Sequence, residues 1–185
     1  ESAMTILSLW LPILASAFAA FVVGAVIWMA MPWHKKDWGK TPDEEAVRAA
    51  LKGCPPGAYT VPNCPDAAAF KDPEMQQKMI DGPQAFLTVV PSGLPTMGGK
   101  LAKMFAYNLV VAIICAYIVS RTLEPDADYL AIFRISGTVA FIAYGMAYIQ
   151  ESIWFGRPWS ATLKTFFDAL IYSVVTGGVF GWLAG

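Results

Sequence analysis

Side chains able to do chemistry are sparse in this chain, and most of them fall along its last two apolar stretches. At helical spacing, Gly137, Tyr144, Tyr148 and Glu151 share one narrow stripe, and Lys164, Asp168 and Tyr172 share another. In an antiparallel hairpin of these stretches, Glu151, Arg157, Lys164 and Asp168 collect at one membrane surface, with Asn108 at a similar depth. The candidate polar cluster is therefore Asn108, Tyr144, Tyr148, Glu151, Arg157, Lys164 and Asp168. A carboxylate at membrane depth is costly unless it reaches water or a partner, so such a cluster suits an ion, a lipid headgroup or a proton path. The plainer reading is that these groups snorkel to water and pair with one another, and that is the expectation.

Other reactive groups promise less. The one histidine, His34, stands at a membrane boundary with only Asp37 near it in sequence. A metal site needs several ligands at set spacings, so His34 reads as an interfacial histidine and no metal is assigned. With one histidine, a bis-histidine haem within a single chain is excluded. Cys54 and Cys64 lie in a proline-rich loop and do not form a CxxC. A disulfide, with alpha carbons under ~7 Å apart, and a pair of free thiols both remain open for them. Cys115, in the middle of an apolar run, reads as a small packing residue. Met97-Gly98-Gly99-Lys100 lacks the first glycine and the Ser/Thr of a phosphate loop, so it reads as a juxtamembrane linker. GxSxG, HExxH and DxDxG patterns do not occur. No catalytic residue and no cofactor is assigned, and the balance leans away from an enzyme.

The elements that must position these residues are membrane helices. Hydrophobic residues make up 56% of the chain and charged ones 15%, against about 25% charged in soluble domains, and the mean hydropathy is +0.49. A net charge of −1 argues against nucleic acid as a partner. The pattern predicts spans at residues 4–31, 104–120, 129–149 and 165–184, against the roughly 20 residues a bilayer core requires. Ala15-Ser16-Ala17 resembles a signal-peptidase site, but the apolar run is too long and lacks a basic lead, so an uncleaved anchor is expected. The expected fold is an all-α integral membrane protein. It is a four-helix transmembrane bundle with a small α+β extramembrane insert between the first and second spans. The segments are 1–33, 34–100 and 101–185. Within the insert, helices are predicted at 46–51 and from Asp72-Pro73 to near Gly82, and strands at 58–61 and 85–90.

Two small-residue faces can pack closely against other helices. One is Gly177, Gly181 and Gly185 on the fourth span, expected at the bundle centre; the other is Ala17, Ala20 and Gly24 on the first. The first span is then expected to present the spare face, to a second copy or a different subunit. Four spans place both termini on one side. Lysines and arginines near the span ends put the insert in the cytoplasm by the positive-inside rule, which weakens for an insert this long.

Several stretches carry a resemblance that covers nearly the whole chain. They are Met31-Pro-Trp-His-Lys-Lys-Asp-Trp38 with Pro42-Asp-Glu-Glu45, Pro56-Gly-Ala-Tyr59, Gly156-Arg-Pro-Trp-Ser-Ala-Thr-Leu-Lys164 and Gly177-Gly-Val-Phe-Gly-Trp182. In these the chain resembles a family of small uncharacterised bacterial inner-membrane proteins. The resemblance implies a multi-pass protein of the bacterial cytoplasmic membrane and carries over no activity and no site residue. The function expected from all this is a non-enzymatic membrane component, a homo-oligomer or an accessory subunit among other membrane subunits. The alternative is a small channel, transporter or lipid-binding protein that uses the polar cluster.

Overall fold

A computed structural model describes residues 4–185. The chain is mostly helical, and four of its helices are long and apolar enough to cross a membrane. The first, α1, runs Trp10–Ala25 and continues through a π-helical turn, Val26–Ala30, closed by Met31 N–H on Val26 O at 3.1 Å. Pro32 ends it: the residue before a proline is pushed out of the helical region, and Met31 is extended, with ψ 144°.

The other long helices follow the insert. Helix α5 spans Met97–Thr122, so the stretch expected to be a linker, Met97 to Lys100, is its first turn. Helix α6, Tyr129–Gly145, starts where the Asp128 carboxylate accepts from Ala131 N–H, and is followed after Met146 by α7, Ala147–Phe155. Gly156, at φ +66°, closes α7 with a left-handed cap, which only glycine adopts without strain. Helix α8 is Trp159–Ala184.

The four form a ring in which α1 touches α5 and α8, and α6 touches α5 and α8. The interior is rich in small side chains, with Ser16, Ala17, Ala20, Ala112, Cys115, Ala116, Ser136, Ala140 and Ala169 buried beside the larger Val119, Ile132 and Phe180. Many large apolar side chains point outward, among them Leu14, Phe18, Val110, Ile114, Leu130, Ile142 and Val174. That inverts the soluble pattern and fits helices that close on one another by shape within an apolar surround.

The closest crossing is between α6 and α8. A Cβ on Gly177 falls 2.9 Å from Phe133 O, and one on Gly181 falls 2.8 Å from the Tyr129 ring. The glycine ladder therefore packs inside the chain, and α8 is the most buried of the four helices. The expected spare face on the first helix is corrected. Ala17 and Ala20 are 1% and 3% exposed, and Gly24 lies against Tyr172 of α8, so that face is also used within the monomer. With two close-packing faces and a ring of four helices, each face finds a neighbour in the same chain.

Residues Gly39–Pro95 form a separate compact unit. It holds α2 (Glu44–Ala50), β1 (Gly57–Val61), α3 (Ala67–Lys71), α4 (Pro73–Asp81) and β2 (Ala85–Val89). The strands pair antiparallel with Tyr59 opposite Leu87. Asp43, Asp66 and Asp72 cap the three helices through backbone N–H bonds of 2.8–3.0 Å. No residue of this unit is buried, so caps, hairpin and the exposed Glu74–Lys78 pair at 2.7 Å hold it. The disulfide weighed for Cys54 and Cys64 is not formed, and both are free thiols. They flank opposite ends of β1, an extended strand of roughly 17 Å, and Cys64 Sγ instead donates to Asp66 O.

Candidate functional site

The turn after Pro32 is set by two short backbone bonds, Lys35 N–H to Pro32 O and Asp37 N–H to His34 O, each 3.1 Å. They drive His34 inward, to 5% exposure. Trp28, from the π-helical turn, lies flat on its ring at 4.0 Å and 4°. Trp33 meets it edge-on at 6.0 Å and meets Phe167 of α8 in the same way. Both imidazole nitrogens face carboxylates: Nδ1 is 2.7 Å from Asp37 Oδ2, and Nε2 is 2.8 Å from Asp168 Oδ2. Lys164, one helical turn before Asp168, donates to Trp33 O at 2.7 Å and pairs with Asp37 Oδ1.

The expected interfacial histidine is thus corrected to a buried bridge between the first turn and α8. Burying a charge costs several kcal/mol unless partners satisfy it, and here nearly every polar atom is satisfied. Asp37 uses both oxygens, His34 both nitrogens, and Lys164 two acceptors. Burial of Asp37 acts to raise its pKa. The hydrogen bonds and charges of Lys164 and His34 outweigh that and hold it below its ordinary value.

The contacts also fix a proton count. A neutral imidazole carries one N–H, yet both nitrogens sit at hydrogen-bond distance from carboxylate oxygens. Two hydrogen bonds require either an imidazolium or a proton on one carboxyl. The Asp37–His34–Asp168 string therefore holds one proton more than a neutral histidine and two carboxylates. With the Lys164 ammonium, the four side chains are together electrically neutral.

Asp168 is also a wall of a cavity of about 570 Å³. Phe21, Trp28 and Met29 of α1, Leu101, Met104 and Tyr107 of α5, Tyr144 of α6, Tyr148 of α7 and Tyr172 of α8 complete most of the lining. Several polar groups around it have protein partners. The Tyr107 hydroxyl donates to Ala143 O at 2.8 Å and that of Tyr144 to Asn108 Oδ1 at 3.3 Å. Thr165 donates to Ala161 O and accepts from Arg157, whose guanidinium lies 4.8 Å from the Tyr148 ring centre. One lining atom differs: Asp168 Oδ1 is buried and has no hydrogen-bond partner.

The predicted cluster is therefore divided. Lys164 and Asp168 meet in the histidine bridge; Asn108 and Tyr144 form a separate buried pair; Arg157, Tyr148 and Thr165 form a third group. Glu151 is exposed and outside all three, its backbone carbonyl capping α7. Sequence reasoning missed His34, Asp37 and Trp28 as partners. The signal present was a histidine and an aspartate three apart in a tryptophan-flanked turn. Among the described residues no group of three His, Cys, Asp or Glu side chains is placed to hold a metal ion; the two nitrogens of His34 lead to its carboxylates in opposite directions. Comparison with protein families, curated proteins and solved structures gives no match to this chain.

Proposed function

We propose that this chain is a non-enzymatic multi-pass membrane protein, of the bacterial cytoplasmic membrane, that binds one amphiphile in the cavity ending at Asp168. The observation that carries this reading is the pairing of an apolar, aromatic-lined cavity with a single unpartnered buried oxygen, Asp168 Oδ1. Ligand sites combine a mostly apolar wall with a few polar groups that fix orientation. Within the helical unit, Ser152 and Thr162 bond each other at 2.6 Å, and Cys115 is buried against Ser136 O.

The competing reading is an assembly component acting through a second copy or a foreign subunit. It rested on the glycine ladder, the small-residue stripe of the first helix and the small insert; Gly177, Gly181, Ala17 and Ala20 are packed within the chain, which leaves the insert as its support. Native mass spectrometry from lipid nanodiscs separates the two. A monomer retaining one amphiphile, lost when Leu101→Trp fills the cavity, is the expected result. A dimer or a foreign protein mass, with no retained small molecule, overturns it.

A further inference from the structure

We infer that the cavity takes a lipophilic cation, an apolar body carrying one ammonium-type head, and that the head enters in exchange for one proton of the Asp37–His34–Asp168 string. This rests on the amphiphile reading above and names its ligand class.

The head must be a donor, because the buried polar atom left without a partner on a lining residue is a carboxylate oxygen, Asp168 Oδ1, which only accepts. Among the described residues no lysine or arginine lines the cavity to receive an anionic head. Lys164 is held by Asp37 and Trp33 O, and Arg157 by Thr165 and the Tyr148 face. Aromatic faces in the lining favour a positive head further, with Tyr144 and Tyr172 packed at 5.3 Å between ring centres.

The exchange follows from charge. The four ionisable groups sum to zero while the string keeps its extra proton. An added cation gives this buried site a net positive charge, which a low-dielectric interior resists. Loss of the extra proton restores neutrality. In balanced terms, one ammonium forms an N–H···O bond to Asp168 Oδ1, one proton leaves the string, and that proton passes to bulk water. Lys164, 31% exposed, marks the string's approach to solvent. The other ionisable groups bordering the site are Tyr172 of α8, Tyr144 of α6, Tyr107 of α5, Tyr148 of α7 and the engaged Arg157.

The test uses the full chain in phosphatidylcholine nanodiscs, with empty nanodiscs as the partition control. Three probes share one chain length: decylammonium, decanol and decanoate. Binding is read from tryptophan fluorescence, since Trp28 lines the cavity, and proton release from calorimetry in buffers of different ionisation enthalpy. Decylammonium is expected to bind most tightly, to release about one proton, and to tighten about tenfold per pH unit while the string holds its proton. Decanol is expected to bind more weakly and without pH dependence. Asp168→Asn is expected to abolish the preference for ammonium and keep decanol binding; the proton count, read on the unaltered protein, stands independently of that variant's folding. Equal binding of decylammonium and decanol overturns the cation inference and leaves the amphiphile site intact. Tighter binding of decanoate does the same. Ammonium preference without proton release overturns the exchange. No binding of any probe overturns the amphiphile reading itself.

Discussion

His34 joins two stretches of chain 134 positions apart, and its removal leaves two buried carboxylates short of a donor. Breaking one partner out of a buried ionic set costs about 3–5 kcal/mol. His34→Ala is expected to lose that much in reversible unfolding followed by tryptophan fluorescence, and adding Asp168→Asn is expected to recover part of it, as coupled neighbours do. Asp37 sets the acid limit. Its folded pKa lies below the ordinary 3.8, so the stability it contributes is present above that value and drains as pH falls through the lower folded one. Asp37→Asn is expected to lower stability at neutral pH and to flatten the stability–pH curve below about pH 4. Little of this was legible in the sequence. Lys164 and Asp168 share a helix face and were visible by spacing. His34 was read as interfacial because the partner that buries it, Asp168, lies on the last helix, and no local pattern reports a contact between distant segments.

Among the elements, α6 and α8 approach most closely, and the reason is two glycines. A side chain on Gly177 strikes backbone at Phe133 O. Overpacking of this kind costs about 1–3 kcal/mol for a single small group, so Gly177→Ala is expected to lower the thermal midpoint measurably. Gly181→Leu, against the Tyr129 ring and carbonyl, is expected to prevent folding. Ala20→Leu is expected to destabilise the monomer as well, because Ala20 is enclosed, and size analysis in mild detergent reads the difference from simple dissociation. The long apolar runs, the glycine ladder and both insert strands were legible because hydropathy and periodicity report them directly. The π-helical turn before Pro32 and the interruption at Met146 were not, since both depend on how neighbouring helices seat the backbone.

For the molecule as a whole, the four crossings we propose would place both termini on one side of the membrane. With Cys54, Cys64 and Cys115 replaced by serine, single cysteines introduced as Ser8→Cys or Leu183→Cys are expected to react alike with an impermeant maleimide in sealed vesicles, both or neither. The helices are of unequal length: Trp10–Ala30 has 21 residues, while α5 and α8 have 26 each, or about 32 Å against about 39 Å. In α8 the excess falls at the end that carries Lys164, since Gly24 meets Tyr172 and His34, beyond the end of the first helix, meets Asp168. From Ala184 back to Asp168 is about 24 Å of helix, so the proposed insertion, with Ala184 at one edge of a hydrocarbon layer of about 30 Å, would put Asp168 just inside the other. A site at that depth responds to lipid length. Short acyl chains leave Asp37 and Lys164 standing in water, where their pairing weakens; long ones draw the exposed ammonium of Lys164 below the headgroups. Stability measured across a series of acyl-chain lengths is therefore expected to pass through a maximum where the hydrocarbon edge meets Trp28, which makes hydrophobic mismatch a control on this buried charge cluster.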